Sequence, residues 1–83
     1  MNTQTDVKNL LSGSLQLGQR ADALTAESPL LGALPELDSM AVVGILTSLE
    51  EHYGFTVEDD EISADTFATL GSLVSFVERK LAG

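Results

Sequence analysis

The chain has 83 residues, no cysteine and one histidine, His52, which excludes disulfides and thiolate metal sites and disfavours a zinc site or histidine relay. Thirteen acidic against four basic residues give a net charge of −9. Such a surface repels nucleic acid and anionic lipid, favours partners with basic patches, and aids solubility.

Hydrophobic residues are 43% of the chain but aromatics only 5%. One domain with a small core of Leu, Val, Ile and Ala follows, near the lower size limit for a core without staples. Residues 1–6 have neither a basic start nor an apolar segment, and polar residues interrupt every apolar run. No signal peptide, bilayer span or membrane insertion is therefore expected, and the expected location is cytoplasmic.

The first helix is predicted from about Thr5 to Leu17, with Val7, Leu10, Leu11 and Leu15 at spacings of three and four. Thr5 or Asp6 opens it and Gly18 ends it. Gly13 weakens it by about 1 kcal/mol relative to Ala. The connection from Gln19 to Leu37 contains Ser28-Pro29, Gly32 and Leu34-Pro35, and at roughly 19 residues it exceeds the usual loop length. Its Leu24, Leu30, Leu31, Leu34 and Leu37 predict that it packs back over the bundle.

The second helix is predicted from about Asp38 to His52, stopped by Gly54. Val43, Leu46, Leu49 (or Glu50) and Tyr53 form its expected core face, flanked by Val42 and Ile45. Phe55-Thr56-Val57 is an extended link expected to carry an aromatic ring into the core. Glu58-Asp59-Asp60-Glu61 reads as a solvated turn, since a calcium loop needs alternating oxygen ligands and a glycine bend. A short third helix is expected near Asp65 to Leu70, started by Ser63 or Asp65, with Phe67 inward. The fourth runs from Gly71 or Ser72 to Leu81, with Leu73, Val74, Phe76, Val77 and Leu81 as its apolar set. Arg79 and Lys80 sit in its last turn, where cations suit the dipole. The expected fold is all-α: a small four-helix bundle of three longer helices and one short one, with a leucine-rich loop between the first two. It forms a single domain, 1–83, with its core at about 5–81.

The chemistry concentrates in Asp38-Ser39-Met40, which puts a hydroxyl in the first turn of a helix. Free N–H groups and the positive dipole end suit a phosphate ester there, so Ser39 is a candidate attachment point for a phosphate-linked group. Taken alone, the triplet is better explained as a helix cap by Asp38 or Ser39, and it is the surrounding sequence that reverses this preference. A hydrolase built on Ser39 and His52 fails on geometry, because thirteen helical positions separate them by roughly 20 Å.

The pattern resembles the acyl carrier proteins, the family of fatty-acid, polyketide and peptidyl carriers. The residues that carry the resemblance are Leu37-Asp38-Ser39-Met40, Val43, Leu46, Leu49-Glu50-Glu51 and Tyr53-Gly54. Val57 with Glu58-Asp59-Asp60-Glu61-Ile62 and Phe67-Ala68-Thr69-Leu70-Gly71-Ser72-Leu73 extend it. The likeness covers roughly Leu24 to Leu81, and the first helix agrees only in pattern. It implies a 4′-phosphopantetheine moved from coenzyme A to Ser39 by a phosphopantetheinyl transferase, with Asp38 capping the helix and serving transferase recognition. The prosthetic group would bring the thiol that the chain lacks, and partners would meet a tethered thioester at high effective concentration. The chain is then a carrier and not an enzyme. Met40 is an exposed lip for partners or a core residue. Val43, Leu46 and Leu49 are core, and line the cleft in carriers that shelter their cargo.

Two positions depart from the family pattern: Glu36 stands where Gly is common and Ala41 where Asp is common. Met40-Ala41-Val42-Val43-Gly44 replaces the acids often found there. The acidic recognition face is thereby displaced towards Glu36, Asp38, Glu50, Glu51 and the turn Glu58 to Glu61, with Glu36, Met40, Glu50 and Glu51 as the expected partner surface. This points to a stand-alone bacterial carrier, expected to be monomeric, from a specialised biosynthetic cluster. The stretch from Ser28 to Met40 resembles carriers associated with exosortase and exopolysaccharide systems. Expected partners are the transferase and acyl- or aminoacyl-activating and transferring enzymes with basic docking patches. The apolar crossover favours acyl cargo. An aminoacyl or peptidyl carrier, and an unmodified helical interaction domain, are the alternatives.

Overall fold

Local capping signals account for most helix ends in the computed structural model, which describes residues 2–35 and 37–82. The three long helices are α1 (Thr3–Leu15), α2 (Ser39–Tyr53) and α3 (Leu70–Ala82). The short helix ahead of the last one is a 3₁₀ segment, Ala64–Phe67, and further 3₁₀ turns occupy Gly18–Ala23 and Asp59–Glu61. The all-α architecture of three longer helices and one short one is as expected. Among the described residues, no helix is long and apolar enough to cross a membrane.

α1 starts and stops two residues earlier than Thr5 and Leu17. Asn2 caps it by accepting the Thr5 N–H at 2.8 Å, and Gln16, with φ 56°, turns the chain left-handed directly after Leu15. The Leu17 N–H then bonds the Ser12 carbonyl at 3.1 Å, and Leu17 folds into the core. Asp38 caps α2 and Gly54, at φ 77°, ends it. The short helix begins at Ala64, ahead of Asp65, because Ser63 and Thr66 form a capping box. It ends before Leu70, because Thr69 and Ser72 exchange backbone-to-hydroxyl bonds at 3.0 Å and start α3 there.

Val7, Leu11 and Leu15 of α1 meet Ile45 and Leu49 of α2 and Leu70, Leu73, Val74, Phe76 and Val77 of α3 in one core, with Phe67 fully enclosed. The inward face of α2 differs from expectation. Ile45 and Leu49 are buried, Val42, Leu46 and Tyr53 are half-buried, and Val43 is 60% exposed. At 100° per residue Val43 lies about 200° from Ile45, so both cannot face α1 and α3. Phe55 stops at the core edge, stacked on Tyr53 with ring centroids 5.8 Å apart. Leu81 is largely exposed, as it lies in the last turn beyond the packed face of α3.

The crossover from α1 to α2 does pack on the bundle through Leu17, Ala21, Leu30 and Leu37, while Leu31 stays exposed. Backbone bonds stitch it to the start of α3. Leu30 N–H reaches Ala68 O at 3.0 Å and Leu31 N–H reaches Phe67 O at 2.9 Å. In return Leu70 N–H reaches Ser28 O at 3.0 Å and Gly71 N–H reaches Ala26 O at 2.8 Å. A Cβ on residue 71 would lie 2.7 Å from Ala26 O, so this contact requires glycine.

Candidate functional site

Asp38 adopts extended backbone and its Oδ1 accepts the Ala41 N–H at 2.8 Å, while its carbonyl accepts the Val42 N–H at 2.9 Å. The N–H groups of Ser39 and Met40, in the first turn of α2 beside the Ser39 hydroxyl, take no partner among the described residues. Ser39 is exposed and Met40 is 81% exposed, which makes Met40 a lip and not a core residue. No side-chain base bonds Ser39 Oγ among the described residues. The hydroxyl is accessible from outside the bundle. His52 is at the other end of α2, edge-on to Tyr53 with centroids 4.7 Å apart. Among the described residues no group of three or more His, Asp or Glu side chains could hold a metal ion.

Beside Ser39 lies a cleft of about 580 Å³. α2 contributes Asp38, Ser39 and Val42 to it, the crossover contributes Leu31, and the segment after the acidic turn contributes Ile62, Ser63, Ala64 and Phe67. The bond from Leu31 N–H to Phe67 O ties two of these walls together. A second hollow of about 170 Å³ runs along the next turns of α2, between Val43, Leu46 and Thr47 on one side and Val57, Glu58 and Ile62 on the other. Of the expected cleft residues on α2, Leu46 and Val43 line this second hollow, and Leu49 is in the core. The lining by Leu31, Ile62, Ala64 and Phe67 escaped sequence reading, since only the tertiary bonds of the crossover bring them to Ser39.

The acidic residues have different environments. Glu50 is half-buried and its Oε2 accepts the Val57 N–H at 2.7 Å, which pins the loop after α2. Glu51 is exposed, and Glu36 lies outside the described residues. In the acidic turn, Glu61 receives Lys80 Nζ on both oxygens, at 2.9 and 3.0 Å, and the Glu58 N–H at 2.8 Å. The Glu58 N–H and the Lys80 ammonium hold the Glu61 carboxyl below its ordinary value. Near the far end of α2, the Tyr53 hydroxyl faces Asp6 Oδ2 at 3.5 Å. Burial first, then the Asp6 charge, pushes its pKa up.

Residues 6–77 match a family model described as a phosphopantetheine attachment site. A curated relative, an acyl carrier protein of Exiguobacterium sp. (strain AT1b), is 35% identical over 69 residues, covering 80% of each chain. Among solved structures, the solution NMR structure of a holo acyl carrier protein from Nitrosomonas europaea is 58% identical, with a TM-score of 0.92 and complete (100%) coverage of both chains.

Proposed function

Because this chain belongs to the acyl carrier proteins, phosphopantetheine-bearing carriers and not enzymes, we propose that Ser39 takes the 4′-phosphopantetheine and that the arm holds acyl intermediates as thioesters for partner enzymes. The observation that carries this reading is an exposed hydroxyl in the first turn of α2, next to two backbone N–H groups without a partner among the described residues and the mouth of a cleft. The residues fit the group, since backbone donors at a helix start suit phosphodiester oxygens. When bound, the arm supplies the thiol absent from a chain without cysteine.

Asp38 holds the first turn in place through Oδ1 and leaves its other oxygen for the phosphopantetheinyl transferase. The Ser39 proton must leave to a base of the transferase, as no base of this chain bonds the hydroxyl among the described residues. Leu31, Val42, Ile62, Ala64 and Phe67 give the cleft a mainly apolar wall, which supports acyl over aminoacyl cargo. The lack of acids within the first turn of α2 supports service to a specialised synthetase or acyltransferase.

The test is intact mass before and after incubation with coenzyme A and a broad-specificity phosphopantetheinyl transferase, alongside Ser39→Ala. A gain of one phosphopantetheine in the parent alone is expected. An equal gain in Ser39→Ala, or none in folded apo-protein, would refute the assignment.

A further inference from the structure

The two walls of the cleft beside Ser39 are fastened differently. The crossover, which brings Leu31, is stitched to residues 67–71 by backbone bonds of 2.8, 2.9, 3.0 and 3.0 Å. Facing it, residues 55–62 lead from α2 towards the short helix and bring Ile62 to both hollows. Among the described residues, no backbone-to-backbone bond joins 55–62 to α2, α3 or the crossover. Phe55, Val57 and Ile62 are only half-buried. Polar side chains supply the remaining hold. Glu50 Oε2 takes the Val57 N–H at 2.7 Å, and Lys80 of α3 grips the stretch near both ends. Its ammonium donates to the two Glu61 oxygens at 3.0 and 2.9 Å and lies 5.9 Å from the centroid of the Phe55 ring. Next to the ion pair is a hollow of about 420 Å³ lined by Glu61, Phe76, Arg79 and Lys80, so packed side chains do not fill that side of it. Glu58-Asp59-Asp60-Glu61 is four acids in sequence, and Lys80 is a cation bonded to the last of them.

We infer that residues 55–62 are a strap that can open, and that Lys80 is its clasp. While Lys80 holds Glu61 and Phe55, Ile62 closes one side of the cleft. When the pair breaks, repulsion among neighbouring acids lifts the strap and uncovers the lining around Val42. Lys80 and Glu61 keep 22% and 32% of their side-chain surface exposed, so dissolved cations compete for the pair. Opening of the strap does not depend on what Ser39 carries.

The unmodified chain is the test object. It has no cysteine, so Val42→Cys puts a single thiol in the cleft, and alkylation by uncharged iodoacetamide reads how often the cleft opens. Adding Lys80→Gln or Glu61→Gln to this background should speed alkylation about fivefold. The two changes shift the net charge in opposite directions, so a general electrostatic effect on the thiol cannot mimic both. Glu61→Gln also leaves no carboxylate for Arg79, which borders the same hollow. High salt should speed alkylation of Val42→Cys alone and leave both clasp variants unchanged. Exchanging the pair, Glu61→Lys with Lys80→Glu, should restore the slow rate. Amide hydrogen exchange should quicken at the Val57 N–H, which is bonded outside the clasp, and stay unchanged at the Leu30 and Gly71 N–H. Unchanged alkylation in both clasp variants would overturn the strap. So would acceleration accompanied by faster exchange at Leu30 and Gly71, or shared by Ser14→Cys on the exposed side of α1.

Discussion

Leu30 lies in the crossover beyond its 3₁₀ segment, yet it is fully enclosed, whereas its neighbour Leu31 is 44% exposed. Its backbone N–H is bonded to Ala68 O at 3.0 Å, so truncating the side chain removes packing and leaves the stitch in place. A buried Leu→Ala exchange with partial collapse costs about 3 kcal/mol. That is a large share of a stability on the order of 5–10 kcal/mol for a domain of this size. With a urea slope of about 1–1.5 kcal/mol/M, Leu30→Ala should lower the unfolding midpoint by about 2–3 M at unchanged slope. Leu31→Ala should stay within about 0.5 kcal/mol of the parent. Leu49→Ala, at a fully buried position of α2, gives the helical yardstick. Urea unfolding followed by circular dichroism compares all three. If Leu30→Ala behaves like Leu31→Ala, the crossover is not part of the core and its role as a cleft wall falls with it.

Two glycines in helices should respond with opposite signs. Gly71→Ala forces a Cβ against the Ala26 carbonyl and should cost about 1–3 kcal/mol; Gly13→Ala meets open space and should gain about 1 kcal/mol. Thermal melts that move the same way would contradict this contact. Asp38→Ala removes the cap on Ala41 N–H and should cost about 1 kcal/mol, lowering the melting temperature by about 4–8 °C. Asp38→Asn should keep most of that stability, and equal losses would mean the cap is not what Asp38 supplies. Tyr53 is the sole tyrosine, so its ionisation can be followed by absorbance. Its pKa should lie above the ordinary tyrosine value, and Asp6→Asn should move it back part of the way. A raised folded-state pKa means its stabilising contribution is complete below the unfolded value and is lost as pH rises through the folded value. Tyr53→Phe should therefore lack that alkaline loss, and a titration at or below the ordinary value would refute the assignment.

Local signals in the amino-acid sequence were enough for the helical class, for both ends of α2, for Phe67 as an inward residue and for most of α3's apolar set. A cap acts within three or four residues, so Asp38 before Ser39 and Gly54 after Tyr53 announce themselves. The position of Ser39 in the first turn followed from the same logic. α1 was less legible, because Asn2 capped it ahead of Thr5 and Asp6, and because Gln16 took the left-handed turn that ends the helix two residues before Gly18, which is left-handed as well.

Which side of α2 is buried was beyond pattern reading. Met40, Ala41, Val42, Val43, Ile45 and Leu46 leave the first half of the helix apolar on every side, so its period points nowhere in particular. Packing against α1 and α3 selected Ile45 and Leu49 and left Val43 outside. The cleft beside Ser39 was likewise a tertiary outcome. Its walls meet because Ala26, Ser28, Leu30 and Leu31 bond the backbone of Phe67, Ala68, Leu70 and Gly71. Backbone groups are alike in every residue type, so a contact made between them across some forty positions leaves no mark in the side-chain pattern.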